Sequence, residues 1–180
     1  MLKYIYLVRH CEATGQGSEC DLTEKGKIQA RELADFFNSI SIERIVCSPY
    51  KRAIESSEAI AEEKNIQLEY DDRLKERILS GHDLPDWKNR LYQSFLERDV
   101  KLAGGESSNE AAKRGFTVIK EALDSENLNI LIVTHGNLLT LILNHLDESF
   151  GYETWLGLTN PDVYCLKIDE DQSNITRVWK

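Results

Sequence analysis

The chain has no CxxC pair and no cysteine–histidine spacing suited to zinc. Its four cysteines, Cys11, Cys20, Cys47 and Cys165, are scattered, and only four histidines accompany them. Reduced thiols in a cytoplasmic setting are the expectation. Cys47 and Cys165 fall in apolar runs, where a free thiol packs as a small hydrophobe. No apolar run is long enough to cross a bilayer: the stretch from Met1 to Val8 is too short, no cleavage region follows it, and it reads as a buried strand. A membrane is therefore not an expected partner. Positive charge is scarce, with 22 lysines and arginines against 31 aspartates and glutamates. Such a surface repels DNA, RNA and anionic headgroups, so nucleic acid is not expected either, and an anionic ligand would have to be drawn in by a local arginine cluster. There is no linker, no internal repeat and no carboxylate cluster suited to magnesium, so whatever chemistry is present is expected to need no metal and to survive a chelator. The 180 residues, 41% hydrophobic and 29% charged, fit one globular domain over 1–180 with one functional site.

Three short apolar runs stand out: Tyr4 to Val8, Arg44 to Cys47, and Asn129 to Thr134. They read as strands buried on both faces. Between the first two, Thr23 caps a helix whose stripe is Ile28, Leu33, Phe36, Phe37 and Ile40. A second helix follows Pro49 and runs to about Lys64, after which Ile66 to Tyr70 suggests another strand. Pro85 fits the first turn of a helix carrying Trp87, Leu91 and Phe95. Ser107 to Glu110 has the form of a capping box that opens a helix with Ala112, Phe116, Ile119 and Leu123 on one face. Asn137 to Leu146 reads as a buried helix, and Val163–Ile168 with Ile175–Trp179, split by an acidic polar turn, as a hairpin. The expected fold class is α/β, a three-layer sandwich with a mainly parallel sheet flanked by helices on both faces and an antiparallel edge from that hairpin. Ligands of such sheets bind beyond the carboxyl ends of the strands.

At those ends stand Arg9-His10, then Ser48-Pro49-Tyr50-Lys51-Arg52-Ala53, then Thr134-His135-Gly136. Two histidines and two arginines brought together would repel one another, a cost that makes sense if they hold an anion such as phosphate. The residues Leu7 to Ala13, reading LVRHCEA, resemble the LVRHGE(T/A) signature of the histidine phosphatase superfamily, the phosphoglycerate-mutase-like group. Leu22-Thr23-Glu24-Lys25-Gly26 is similar to its L-T-x-x-G, Ser48 to Ala53 to its S-P-x-x-R-A, Gly104-Gly105-Glu106-Ser107 to its G-G-E-S, and Val133 to Gly136 to its V-(T/S)-H-G. Five motifs in the family's order across nearly the whole chain make a specific signal.

The resemblance implies a phosphatase that hydrolyses small phosphomonoesters through a phosphohistidine on His10, with no cofactor. Arg9 and Arg52 would grip the phosphate with their planar forks, His135 would add a donor, and Gln16 and Gly136 would line the phosphate or substrate. Glu76, in an R-L-x-E-like segment, would be the general acid and base, with Glu12 and Glu106 as fallbacks. Cys11 stands where the family has glycine, and a buried, inert thiol is expected there. His82 and His145 are expected to be ordinary hydrogen-bonded core residues. Within the same fold, a cofactor-dependent phosphoglycerate mutase, an alpha-ribazole phosphatase and a non-catalytic phospholigand-binding relative are the alternatives. Mutases of this kind are usually longer and enclose their substrate, and the presence of both histidines speaks against an inactive relative. A homodimer is left open: Trp87, Trp155 and Phe150 are either core, the default, or interface.

Overall fold

The structure is a computed structural model that describes residues 2–169 and 172–179. One sheet holds six strands: β1 (Lys3–Arg9), β2 (Arg44–Cys47), β3 (Leu68–Tyr70), β4 (Asn129–Thr134), β5 (Asp162–Ile168) and β6 (Ser173–Arg177), in the order β3-β2-β4-β1-β5-β6. The first four run parallel. β5 pairs antiparallel with β1, and β6 antiparallel with β5, which forms the expected antiparallel edge. The helices are α1 (Glu24–Phe37), α2 (Lys51–Lys64), α3 (Trp87–Leu96), α4 (Ser108–Asp124), α5 (Gly136–Leu146) and α6 (Tyr152–Leu156).

Alternation along the central strands divides the apolar side chains between two layers. Ile5, Leu7, Ile130 and Ile132 pack with residues of α4 and α5, while Tyr6, Val8, Leu131 and Val133 pack with residues of α1 and α2. A strand with both faces covered must be apolar at every position, which is why β4 reads as an unbroken hydrophobic run. Each such side chain taken out of water stabilises the fold by roughly 1.5–3 kcal/mol before chain entropy is counted. The result is the three-layer α/β sandwich expected from the sequence.

The helix starts follow their caps. Thr23 accepts from the Gly26 N–H at 2.9 Å, and a β-carbon added to Gly26 would lie 2.0 Å from the Glu12 carbonyl oxygen. Glycine is needed there so that α1 can press against the loop that follows β1. Ser107 and Glu110 form the reciprocal capping box of α4, with bonds of 3.1 and 2.8 Å.

Several expectations need correction. Ile28, assigned to the buried stripe of α1, is 57% exposed; Leu33, Ala34 and Phe37 carry the contact instead. Pro85 lies in a turn before α3, which begins at Trp87. β3 starts at Leu68 rather than Ile66, because the Ile66 N–H closes the end of α2 on Ala61. β6 ends at Arg177; the N–H groups of Val178 and Trp179 both turn to the Val163 carbonyl. Glu170 and Asp171 of the expected acidic turn lie outside the described residues, as do Met1 and Lys180. His82 and His145 are exposed rather than core, the latter against Phe116 at 4.6 Å. Trp87 is not core either, at 43% exposed. No helix among the described residues is long and apolar enough to cross a membrane.

Candidate active site

Strand register does most of the assembly. Arg9 pairs with Thr134 and Cys47 with Val133, so β1, β2 and β4 end level with one another. The His10 N–H then bonds the Thr134 carbonyl at 3.0 Å and the Ser48 N–H the Val133 carbonyl at 2.9 Å. This brings His10 and His135 ring to ring, with centroids 5.1 Å apart. On the β5 side, the Asn160 amide donates to the His10 carbonyl at 2.8 Å, and the Leu158 and Thr159 carbonyls accept from Arg9 Nη1, each at 3.3 Å. Buried Asp162 holds that loop through the Thr159 N–H at 2.9 Å and Arg177 Nη2 at 2.6 Å.

The His10 ring is oriented at both nitrogens. Nδ1 sits 2.6 Å from the Cys11 carbonyl, which can only accept, so Nδ1 carries the proton. Nε2 therefore has the lone pair, and it accepts from Arg52 Nε at 3.1 Å. Burial, with Arg52 and Arg9 beside it, lowers the His10 pKa to about 3 despite the Cys11 carbonyl. A base with so low a pKa is neutral across the physiological range. An NMR titration of the imidazole in the free protein is thus expected to find no protonation of His10 between pH 8 and pH 5, and a midpoint near the ordinary 6.5 would contradict this environment.

His135 is fully buried, and burial, followed by His10 and the nearby arginines, lowers its pKa well below the usual value. Its Nε2 lies 2.7 Å from Ser48 Oγ, which already accepts from the Tyr50 N–H at 3.3 Å. If the Ser48 hydroxyl donates to Nε2, the proton of His135 is on Nδ1, which has no hydrogen-bond partner among the described residues.

Arg52 is fully buried: its Nη1 donates to the Gln16 and Gly17 carbonyls at 3.1 and 2.7 Å, and its guanidinium lies 5.0 Å from the Tyr50 ring centre. Burial lowers the pKa of both Arg52 and Arg9, against the pull of Glu76. Gly136 lets Arg9 lie against the start of α5, since a β-carbon there would come within 3.0 Å of Arg9 Nε. Among the buried side-chain atoms without a hydrogen-bond partner in the described residues are Arg9 Nε, Arg52 Nη2, His135 Nδ1 and the Asn137 amide. A buried polar group left unpaired costs about 1–3 kcal/mol, and more when charged, so this set of donors fits an anion. No group of three or more His, Cys, Asp or Glu among the described residues is placed to hold a metal ion.

Glu76 follows the 3₁₀ turn Asp72–Leu74, which is anchored to the end of β4 by the Thr134 hydroxyl donating to the Leu74 carbonyl at 2.8 Å. Its carboxylate accepts the Leu138 and Asn137 N–H groups at 2.9 and 3.1 Å, at the amino end of α5. Glu76, Gln16, Arg9, His10 and Gly136 line one cavity of about 330 Å³. The two fallback glutamates are engaged elsewhere: Glu12 with Thr23 and Lys25, Glu106 with Nε and Nη2 of Arg114. Gln16 lines the cavity with an exposed side chain, while its carbonyl is the group that holds Arg52. Cys11 is fully buried, and burial raises its pKa to about 12, an inert thiol as expected. Cys47 is likewise buried, and Cys165 packs against the core.

Sequence reasoning did not single out three of the cavity's neighbours. Asn137 had a signal in its place just past the Thr134-His135-Gly136 motif. Ser48 was visible only as a motif letter. Arg77, buried and bonded to Ser94 Oγ at 2.7 Å, sits in a charge-rich segment that gave no cue.

Residues 5–180 match the sequence profile of the histidine phosphatase superfamily, branch 1. A Hydrogenobacter thermophilus protein provisionally named phosphoserine phosphatase 2 is 30% identical over 98% of this chain and 89% of its own. A Salmonella choleraesuis protein provisionally named phosphoglycerate mutase GpmB is 27% identical over 93% of this chain and 86% of its own. The solved structure of a mycobacterial glucosyl-3-phosphoglycerate phosphatase has the same fold, with a TM-score of 0.79 at 20% identity over 99% of this chain and 98% of that one. With its motifs gathered at the strand ends and its profile matched over nearly its whole length, the chain belongs to the histidine phosphatase superfamily.

Proposed function

We propose that this protein hydrolyses small phosphomonoesters by passing the phosphoryl group through His10. The observation that carries the reading is the set of buried, unpartnered donors on Arg9, Arg52 and His135, gathered about an imidazole whose Nε2 lone pair is fixed by the Cys11 carbonyl. In the first step a bond forms from Nε2 to phosphorus as the bond to the leaving oxygen breaks, and Glu76 gives that oxygen a proton. The Arg52 N–H that holds Nε2 in the free site passes to a phosphate oxygen as phosphorus approaches. Charge spread over the three non-bridging oxygens meets guanidinium forks that are already in place, so little reorganisation is needed. In the second step water attacks phosphorus, Glu76 takes its proton, and the bond to Nε2 breaks. No step calls on a metal.

Hydrolysis is favoured over phosphoryl return to a sugar acid because the cavity rim is open. Trp87 on that rim is 43% exposed, and a mutase needs water kept from its phosphoenzyme. The role of Glu76 is tested by leaving-group dependence. Glu76→Gln keeps an acceptor for the α5 N–H groups but has no proton to give, so it is expected to slow hydrolysis of alkyl phosphates by about 10²-fold or more while slowing nitrophenyl phosphate far less. Equal slowing of both would remove Glu76 from the proton-transfer role.

A further inference from the structure

The cavity that holds His10 and Glu76 extends away from the phosphate end to a second wall formed by Leu79, Trp87, Leu91 and Trp155. Two indoles are part of it, edge to face with ring centres 6.1 Å apart at 89°. Trp155 is backed by Tyr152, stacked at 5.5 Å and 27°, and Tyr152 in turn meets Tyr92 and Phe95 at 5.1 and 6.0 Å. These rings form an aromatic cluster behind one side of the wall. Trp87 is 43% exposed, and the Lys88 ammonium lies 5.6 Å from its ring centre. A large apolar side chain left open inside a cavity marks a surface that a ligand covers.

The charges on that wall restrict what the ligand can be. Among the described residues lining the cavity, Arg77 is the one cation beyond the Arg9–His10 end. Its Nε and Nη2 both donate to the Glu106 carbonyl at 3.2 Å and its Nη1 to Ser94 Oγ at 2.7 Å, so three of its five N–H groups are already spent within the protein.

On the phosphatase reading above, we infer that this wall is a subsite for the alcohol part of the substrate, and that the substrate class is phosphomonoesters of alcohols bearing a flat, uncharged ring. Small phosphorylated acids, which need a second cationic grip, are poor substrates. The ring stacks on or butts against the indoles while Glu76 reaches the bridging oxygen between it and His10.

The test compares esters whose leaving alcohols are all alkyl, so that differences report the wall rather than bond strength: 2-naphthylmethyl phosphate, glycerol phosphate, phosphoserine and 3-phosphoglycerate. The naphthylmethyl ester is expected to exceed both acids in kcat/KM by about 30-fold or more, within the range that apolar contacts supply. Trp155→Ala should lower kcat/KM for the naphthylmethyl ester about tenfold more than for glycerol phosphate, and Trp155→Phe should restore most of the difference. Phosphoserine or 3-phosphoglycerate turned over as well as the naphthylmethyl ester, or a tryptophan variant that slows all four esters alike, would overturn the assignment. Binding of 2-naphthylmethylphosphonate, followed by tryptophan fluorescence, separates the two layers of the argument. Tight binding that Trp155→Ala weakens, in a protein that hydrolyses nothing, would sink the phosphatase reading and leave the subsite standing; no binding alongside measurable hydrolysis would do the reverse.

Discussion

His10→Ala is expected to lower kcat/KM for small phosphomonoesters by roughly 10⁴-fold or more, the scale at which removal of a covalent nucleophile leaves only residual catalysis by the remaining site. The imidazole is held by the Cys11 carbonyl at 2.6 Å and Arg52 Nε at 3.1 Å, is neutral through burial, and is 6% exposed. Of the other polar side chains lining the cavity, Asn137, Gln16 and the arginines are not nucleophiles, and the Glu76 carboxylate is held by the Asn137 and Leu138 N–H groups. His135 Nε2 is occupied by Ser48 at 2.7 Å, so that nitrogen does not substitute. The variant should still fold, since its main loss is the acceptor for one Arg52 N–H, worth about 1–3 kcal/mol. Activity at the wild-type level would show that phosphorus never meets this ring.

The second large effect is a split between function and stability at Arg52. It is fully buried, and none of its hydrogen bonds goes to a carboxylate: the partners are His10 Nε2 and the carbonyls of Gln16 and Gly17. A buried cation with no carboxylate bonded to it destabilises the free protein. Arg52→Met, which fills similar space, is therefore expected to leave the thermal unfolding midpoint unchanged or higher. Turnover should nonetheless fall by about 10³-fold, because one residue orients the nucleophile and supplies donors to the developing charge. Arg52→Lys should recover little, since an ammonium cannot bond His10 and the Gly17 carbonyl in one fixed plane. A large drop in midpoint for Arg52→Met would mean that the guanidinium serves the fold rather than the anion.

These two residues also show which parts of the molecule could be read from the chain. β1, β2 and β4 were legible because strands covered on both faces admit apolar residues at every position. The ends of those strands then marked Arg9, His10 and His135, and register did the rest. Thr23 and Ser107 announced α1 and α4 through side-chain oxygens that meet free N–H groups. Glu76 was legible by motif alone, since its position depends on the Thr134 hydroxyl reaching the Leu74 carbonyl, 60 residues away in sequence. The far wall of the cavity was not legible. It joins Trp87 and Leu91 of α3 to Trp155 of α6, a helix of five residues, too short for a periodic signal. Aromatic side chains in such segments read as ordinary core, and only their meeting shows otherwise. The support of Arg9 and His10 by the 158–162 loop was hidden as well: the Asn160 and Asp162 side chains bond backbone groups, and the Leu158 carbonyl meets Arg9, pairings that a sequence does not place.

The most direct measurement of the central claim is rapid acid-free denaturation of the protein during turnover of a ³²P-labelled phosphomonoester, followed by mapping of the label. The account predicts one phosphoryl group on His10, stable to alkali, lost in mild acid, and absent from His10→Ala. Measurable hydrolysis with no label on His10, or with label on a serine or carboxylate instead, would contradict it.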